Sequence, residues 1–174
     1  IAVSKQESRP ILAGVHMTLK DGVLTAVATD SHRLAQRKVV LENIDNSIDF
    51  DVIIPGKSME ELSGMISDVH EDVQMQVTEN QVLFIFGNTH FYSRLLEGNY
   101  PETSQLIPQT ADTTVELEAG TFLSSIERAS LLSHESRNDV VKLSLKPSES
   151  LVRISGDSPD IGTVEEKVVT SALD

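Results

Sequence analysis

The sequence predicts an α+β fold in which strands far outnumber helices, and three observations carry that reading. The apolar residues are mostly Val, Leu and Ile, with few aromatics and no Trp, a supply that suits pleated, half-buried surfaces. Short apolar runs are separated by the turn segments Lys20-Asp21-Gly22, Glu79-Asn80 and Gly87-Asn88, which are hairpin chemistry. Only two stretches, 58–67 and 119–132, place apolar residues at helical spacing.

Taken in order, residues 11–19 and 23–29 are rich in β-branched and apolar side chains and form a hairpin across Lys20-Asp21-Gly22. Residues 33–41 give a third strand that ends in a polar loop at 42–47, and 49–54 give a fourth that stops at Pro55-Gly56. Ser58-Met59-Glu60-Glu61 fits a capping box: the Ser58 hydroxyl can accept from a first-turn amide and Glu61 can reach back. A helix is therefore predicted from Ser58, with Met59, Leu62, Met65 and Ile66 on one face, fading at 67–68. Strands follow at 73–78, 81–86 and 89–95. Beyond Gly98-Asn99-Tyr100-Pro101 the pattern breaks, and 107–113 reads as a linker. Next come a strand at 114–118 and a helix at 119–132, whose apolar stripe is Phe122, Leu123, Ile126 and Ala129. Strands at 140–146, 151–155 and 163–170 complete the chain.

The two ends echo one another. Ser4-Lys5-Gln6-Glu7-Ser8-Arg9 resembles Ser133-His134-Glu135-Ser136-Arg137, and Leu19-Lys20 matches Leu145-Lys146. Asp30-Ser31 matches Asp157-Ser158, and Lys38-Val39-Val40 matches Lys167-Val168-Val169. The shared order and near-constant offset of about 126 to 129 residues indicate an internal repeat. On that repeat the first copy is expected to lack its opening strand and most of its helix, and the second to stop after its front half.

Composition narrows function. With 174 residues and 39% apolar content the chain can bury a core. It has no Cys, so disulfides and thiolate chemistry are excluded. No apolar run approaches a membrane span of about 20 residues, and a cytoplasmic protein without membrane association is the default expectation. The formal charge of −13 opposes simple nucleic-acid binding unless basic residues are segregated on one surface. The five His residues at 16, 32, 70, 90 and 134 show no metal-ligand spacing, and no metal or other cofactor is expected. Asp30-Ser31-His32 holds the residue types of a hydrolase triad, but adjacent residues seldom converge on one point. Gly56-Lys57-Ser58 resembles the end of a phosphate-binding loop, yet the position five residues before Gly56, where that loop requires Gly, is Asp51. A non-catalytic binding or scaffold protein is favoured over the alternative of a small Asp/Ser/His hydrolase.

Four segments then carry a specific resemblance. They are Glu7-Ser8-Arg9-Pro10-Ile11-Leu12-Ala13-Gly14-Val15, Val27-Ala28-Thr29-Asp30-Ser31-His32-Arg33-Leu34, Val52-Ile53-Ile54-Pro55-Gly56-Lys57-Ser58, and Phe91-Tyr92-Ser93-Arg94-Leu95-Leu96-Glu97-Gly98-Asn99-Tyr100-Pro101. In this order and spacing they resemble the second domain of the bacterial β sliding clamp family, the DNA polymerase III β subunits. The match spans nearly all of 1–108, and 114–174 resembles the front half of the third domain. The resemblance implies a DNA-clamp fold of repeated β-α-β-β-β units, with helices on the inner face and antiparallel sheets outside. It implies a homodimeric ring that encircles duplex DNA without reading sequence and serves replication as a processivity factor. It also implies a groove that takes short peptides from the replicative polymerase, the clamp loader and repair proteins.

By motif position the groove walls are Leu12, Thr29, Ser31, His32, Arg33, Leu34, Pro101 and Leu106. Leu12, Leu34, Pro101 and Leu106 would seat an anchoring Leu or Phe while His32 and Arg33 orient the peptide. Without the resemblance the same apolar residues read as ordinary core. Gln6, Arg9, Lys57 and Arg128 are the implied DNA-facing residues, and Leu131 and Leu132 match apolar residues of the dimer contact. Two positions depart from the family pattern: Ser31 stands where many members carry Gly, and Gln105 where some carry Arg. In the family the rest of the third domain closes the groove, and the first domain forms the other half of the dimer contact.

Overall fold

The structure, a computed structural model, describes all residues except 7, 43, 46, 67–71, 136–139, 147–148 and 174, and no side chain is described at 133–135 or 172–173. The expected fading of the first helix at 67–68 and parts of the Glu-Ser-Arg echo fall outside the described residues. The chain forms two compact units, Ile1–Ile107 and Pro108–Asp174.

In the first unit the strands are β1 Gly14–Lys20, β2 Val23–Thr29, β3 Leu34–Val40 and β4 Phe50–Pro55, followed by helix α1 Gly56–Ile66 and strands β5 Gln74–Val77, β6 Gln81–Phe86 and β7 Thr89–Arg94. A four-stranded sheet has the order β3-β2-β1-β4, and a three-stranded sheet the order β5-β6-β7. The β1–β2 hairpin closes through Asp21 at φ 50° and Gly22 at φ 75°, the left-handed pair that a tight two-residue turn requires. Met17, Ile54, Leu62, Val82, Phe84 and Phe86 form the core, with Met59 and Ile66 of α1 packed against it. Met65, expected on the same helical face, is 45% exposed.

The second unit holds β8 Val115–Glu116, helix α2 Ala119–Glu135, β9 Val141–Lys146, β10 Leu151–Ser158, β11 Gly162–Val169 and β12 Ala172–Leu173. Its three-stranded sheet is ordered β11-β10-β9, and β8 pairs with β12. Ala129, Val152, Ile154 and Val168 form its core, with Phe122 and Ile126 packed against them. Leu123 drops out of the expected stripe at 57% exposure.

Both β4-α1-β5-β6-β7 and β8-α2-β9-β10-β11 are β-α-β-β-β units of antiparallel sheet and one helix. The internal offset also holds at two matched pairs of strand ends. Leu19-Lys20 and Leu145-Lys146 end β1 and β9, and Val39-Val40 and Val168-Val169 end β3 and β11. It breaks at Asp30-Ser31, which follows β2, whereas Asp157-Ser158 lies inside β10. The turn after Thr29 is therefore particular to the first unit.

Three local expectations are corrected. Residues 11–13, expected at the start of the first strand, belong instead to a 3-10 turn, Pro10–Ala13, with Pro at its start; proline's fixed φ favours a first helical position and its missing N–H costs nothing there. Strand β10 runs to Ser158 rather than 155. The capping box at Ser58 does not form, because α1 begins at Gly56 and Ser58 Oγ instead accepts from Ser93 Oγ at 2.8 Å.

The helix that is capped by a side chain is α2. Glu118 accepts from the backbone N–H of Gly120 at 2.9 Å and of Thr121 at 2.5 Å, satisfying otherwise orphaned amides. Hydrogen bonds from Thr121, then from Gly120, hold its carboxyl below the ordinary value of 4.5. The unfolded chain therefore takes up this proton first as pH falls, so the contribution is complete above the unfolded value and lost through the lower folded value. Glu118→Ala is expected to lower the Tm at about pH 7, with the gap to wild type closing in melts below about pH 4.

Candidate functional site

The stretch after β2 is shaped by Asp30. Its Oδ1 accepts the backbone N–H groups of His32 and Arg33, each at 3.0 Å, and its Oδ2 accepts Arg33 Nε at 3.0 Å. This is an Asx turn, in which a carboxylate replaces backbone acceptors. The amides of His32 and then Arg33 hold the Asp30 carboxyl below its ordinary value of 3.8. Thr29 completes the turn: its hydroxyl donates to the Arg33 carbonyl at 2.8 Å and accepts the Ser31 amide at 3.1 Å.

Catalysis is not assembled here. The Asp30 carboxylate is engaged with two amides and Arg33, and Ser31 Oγ accepts from Arg9 Nη1 at 2.7 Å. Neither group is directed to the His32 ring among the described hydrogen bonds. Gly56-Lys57-Ser58 forms the first turn of α1, directly after β4. Among the described residues no group of three or more His, Cys, Asp or Glu could hold a metal ion.

Three links bring together three of the four motif segments, those at 7–15, 27–34 and 91–101. The Arg9–Ser31 bond joins the start of the 10–13 turn to the Asx turn. A Cβ added at Gly98 would lie 2.6 Å from Ile11 Cδ1, so the 98–101 loop sits against that same turn. The Thr29 N–H donates to the Tyr100 hydroxyl at 3.0 Å. Within this frame Leu12 and Thr29 are each 6% exposed, Leu34 is half-buried, and Ser31, His32, Arg33 and Pro101 are exposed. Leu106, 62% exposed, ends the 3-10 turn Ser104–Leu106. The residues do not all line one cleft. Pro101 lines a cleft of about 420 Å³ with His16, Asp51 and Tyr100. His32 and Arg33 line another of about 230 Å³ with Lys5, Gln6 and Asp30.

Ser31 carries a cost. Its φ of 78° is left-handed, a region where an L side chain crowds the backbone. Ser31→Gly relieves that crowding while losing the exposed bond to Arg9. A net gain of about 0.5–1 kcal/mol is expected, read as a raised midpoint in urea denaturation.

The other candidates lie apart. Gln6, Arg9 and Lys57 are exposed, but the exposed face of α1 carries Glu60 and Glu61 beside Lys57, so it offers no strong phosphate site. Arg128 is not a free cation: its guanidinium donates Nε to Glu166 Oε1 and Nη2 to Glu166 Oε2, each at 3.0 Å. On α2, Leu131 is 68% exposed and Leu132 is half-buried. Tyr100, the residue that closes the frame, was not among the groove residues expected from the sequence, although it lies in the 91–101 motif and at the Gly98-Asn99-Tyr100-Pro101 break.

Residues 1–102 match the family model of the DNA polymerase III beta subunit, central domain, and residues 104–173 match that of the C-terminal domain. The chain belongs to the DNA polymerase III beta subunit family. The beta sliding clamp of Bacillus subtilis is 50% identical over 173 residues, covering 99% of this chain and 45% of that protein. That of Halalkalibacterium halodurans is 47% identical over 174 residues, covering 99% and 46%. The crystal structure of the Bacillus subtilis DNA polymerase sliding clamp superposes with a TM-score of 0.93 at 49% identity, covering 99% of this chain and 45% of that one. A Pseudomonas aeruginosa sliding clamp bound to griselimycin gives 0.85 at 25% identity, covering 98% and 46%. The chain thus spans about half the length of the beta subunits it matches. No helix among its described residues is long and apolar enough to cross a membrane.

Proposed function

We propose that the protein acts as a sliding clamp: a non-catalytic, cytoplasmic processivity factor of DNA replication that encircles duplex DNA as a homodimeric ring and tethers the polymerase and other partners by short peptides. Residues 1–108 are its second clamp domain, 109–113 a linker and 114–174 the front half of the third. Peptides dock against Leu12, Thr29, Ser31, His32, Arg33, Leu34, Pro101 and Leu106. Gln6, Arg9 and Lys57 lie toward DNA, Arg128 contributes only when it exchanges Glu166 for phosphate, and Leu131 and Leu132 belong to the dimer contact. Sliding needs topological linkage and phosphate attraction rather than base readout, so a net-acidic chain with few free cations is compatible with it.

The observation that supports the docking reading is the Asx turn itself. Asp30 spends its carboxylate on making His32 and Arg33 rigid and exposed, and a preorganised polar rim beside apolar residues is what peptide capture requires. Leu106 is the cleanest probe, because at 62% exposure it contributes little to folding. Fluorescence polarisation with a fluorescein-labelled peptide carrying the Leu and Phe anchors is expected to show about tenfold weaker binding to Leu106→Ala, within the range of an interface anchor. Unchanged affinity at unchanged Tm would remove Leu106 from the groove.

A further inference from the structure

We propose that Tyr100 is the positioning residue of the docking groove: its phenol oxygen ties the wall at 29–34 to the wall at 101–106 and sets the spacing between them. This rests on the groove reading above. The β1–β2 ladder ends at His16–Val27, two residues short of Thr29. Thr29 is 6% exposed, so its N–H lacks both a ladder acceptor on that side and free access to water. A buried amide without an acceptor is strongly disfavoured, and the Tyr100 hydroxyl at 3.0 Å is the acceptor it has.

The acceptor is itself held in place. The Tyr100 ring stacks on His16 with centroids 4.9 Å apart and planes 22° apart. His16 Nε2 lies 2.7 Å from Asp51 Oδ1, and these two residues sit on the paired strands β1 and β4. Burial pushes the phenol's pKa up from its ordinary value of 10.0. Tyr100 therefore stands on the paired strands β1 and β4 at one side of the sheet and reaches across to the residue whose hydroxyl organises the Asx turn. Pro101 follows it directly, with φ fixed by its ring, so the position of Tyr100 is passed on to the opposite wall.

Tyr100→Phe keeps the ring and its stack and removes only the acceptor. In hydrogen exchange the Thr29 amide is expected to lose protection in this variant while the amide of Val82, in the core, keeps it. The labelled peptide is expected to bind about tenfold more weakly, mainly through faster dissociation, whereas Tyr92→Phe, altered at an exposed ring, binds as wild type. Retained Thr29 protection in Tyr100→Phe overturns the proposal, as does lost protection with affinity within twofold of wild type. Failure of the wild-type protein to bind the peptide overturns the groove reading and this proposal with it; lost Thr29 protection would then show that the bond exists but serves folding alone.

Discussion

Gly156→Ala is expected to unfold the second unit while leaving the first intact. A Cβ at Gly156 would lie 2.1 Å from the carbonyl oxygen of Ala129 and 3.1 Å from its carbonyl carbon. The obstacle is helix backbone, so no rotamer change relieves it, and α2 must rise from β10. Ala129, Val152 and Ile154 are 0–1% exposed across this contact, and lifting the helix opens a small core in which, among the described residues, these three and Val168 are buried. Overpacking of this kind costs about 3 kcal/mol, a large share of the stability of so small a unit. Hydrogen exchange is expected to show lost protection along β10 and β11 with β6 unchanged. Uniform loss in both units, or none, would contradict this account of the second core.

The largest expected functional effect belongs to the His32→Ala/Arg33→Ala/Leu34→Ala triple variant. Leu34 supplies apolar area, and anchors of this kind are each worth about 1–3 kcal/mol. Arg33 acts twice, as an exposed donor and as the partner that fixes Asp30 through Nε. Its removal leaves the two amide bonds to Asp30, so the turn persists with less restraint. Together the three changes are expected to weaken the labelled peptide by at least about a hundredfold, less than additively because the residues share one turn. The Tm should move little, since none of the three is a core residue. Equal affinity of wild type and triple variant in fluorescence polarisation would end the assignment of this turn to the groove.

Much of the fold was legible because it is written locally. The hairpins at 21–22 and 87–88 follow from residue types that tolerate left-handed backbone, and helical spacing places Met59, Leu62 and Ile66 of α1 on the core, though not Met65. The misreadings arose where a distant partner decided the outcome. Ser58 reads as a cap from its neighbours, but its hydroxyl is engaged by Ser93 on β7. Arg128 of α2 reads as a cation facing DNA, and what its neighbours in sequence do not show is its pairing with Glu166 of β11. The candidate site was legible only through family resemblance, because Leu12 and Leu34 have the composition of any core residue. Tyr100 was illegible because the bond that gives it meaning spans 71 residues. The Asx turn is local, an Asp two and three residues ahead of the amides it accepts, and it gives Asp30-Ser31-His32, already unsuited to a triad by adjacency, the role of a structural corner.

The central claim, that this corner and the 98–106 segment form one peptide-docking site, is tested most directly by mapping backbone amide shifts in NMR while the labelled peptide's unlabelled counterpart is titrated in. The account predicts saturable changes at Leu12, at residues 29–34, and at Tyr100 and Leu106. Saturable binding that leaves those amides unmoved, or that centres on the apolar cleft lined by Leu41, Ile48 and Phe50, would contradict it.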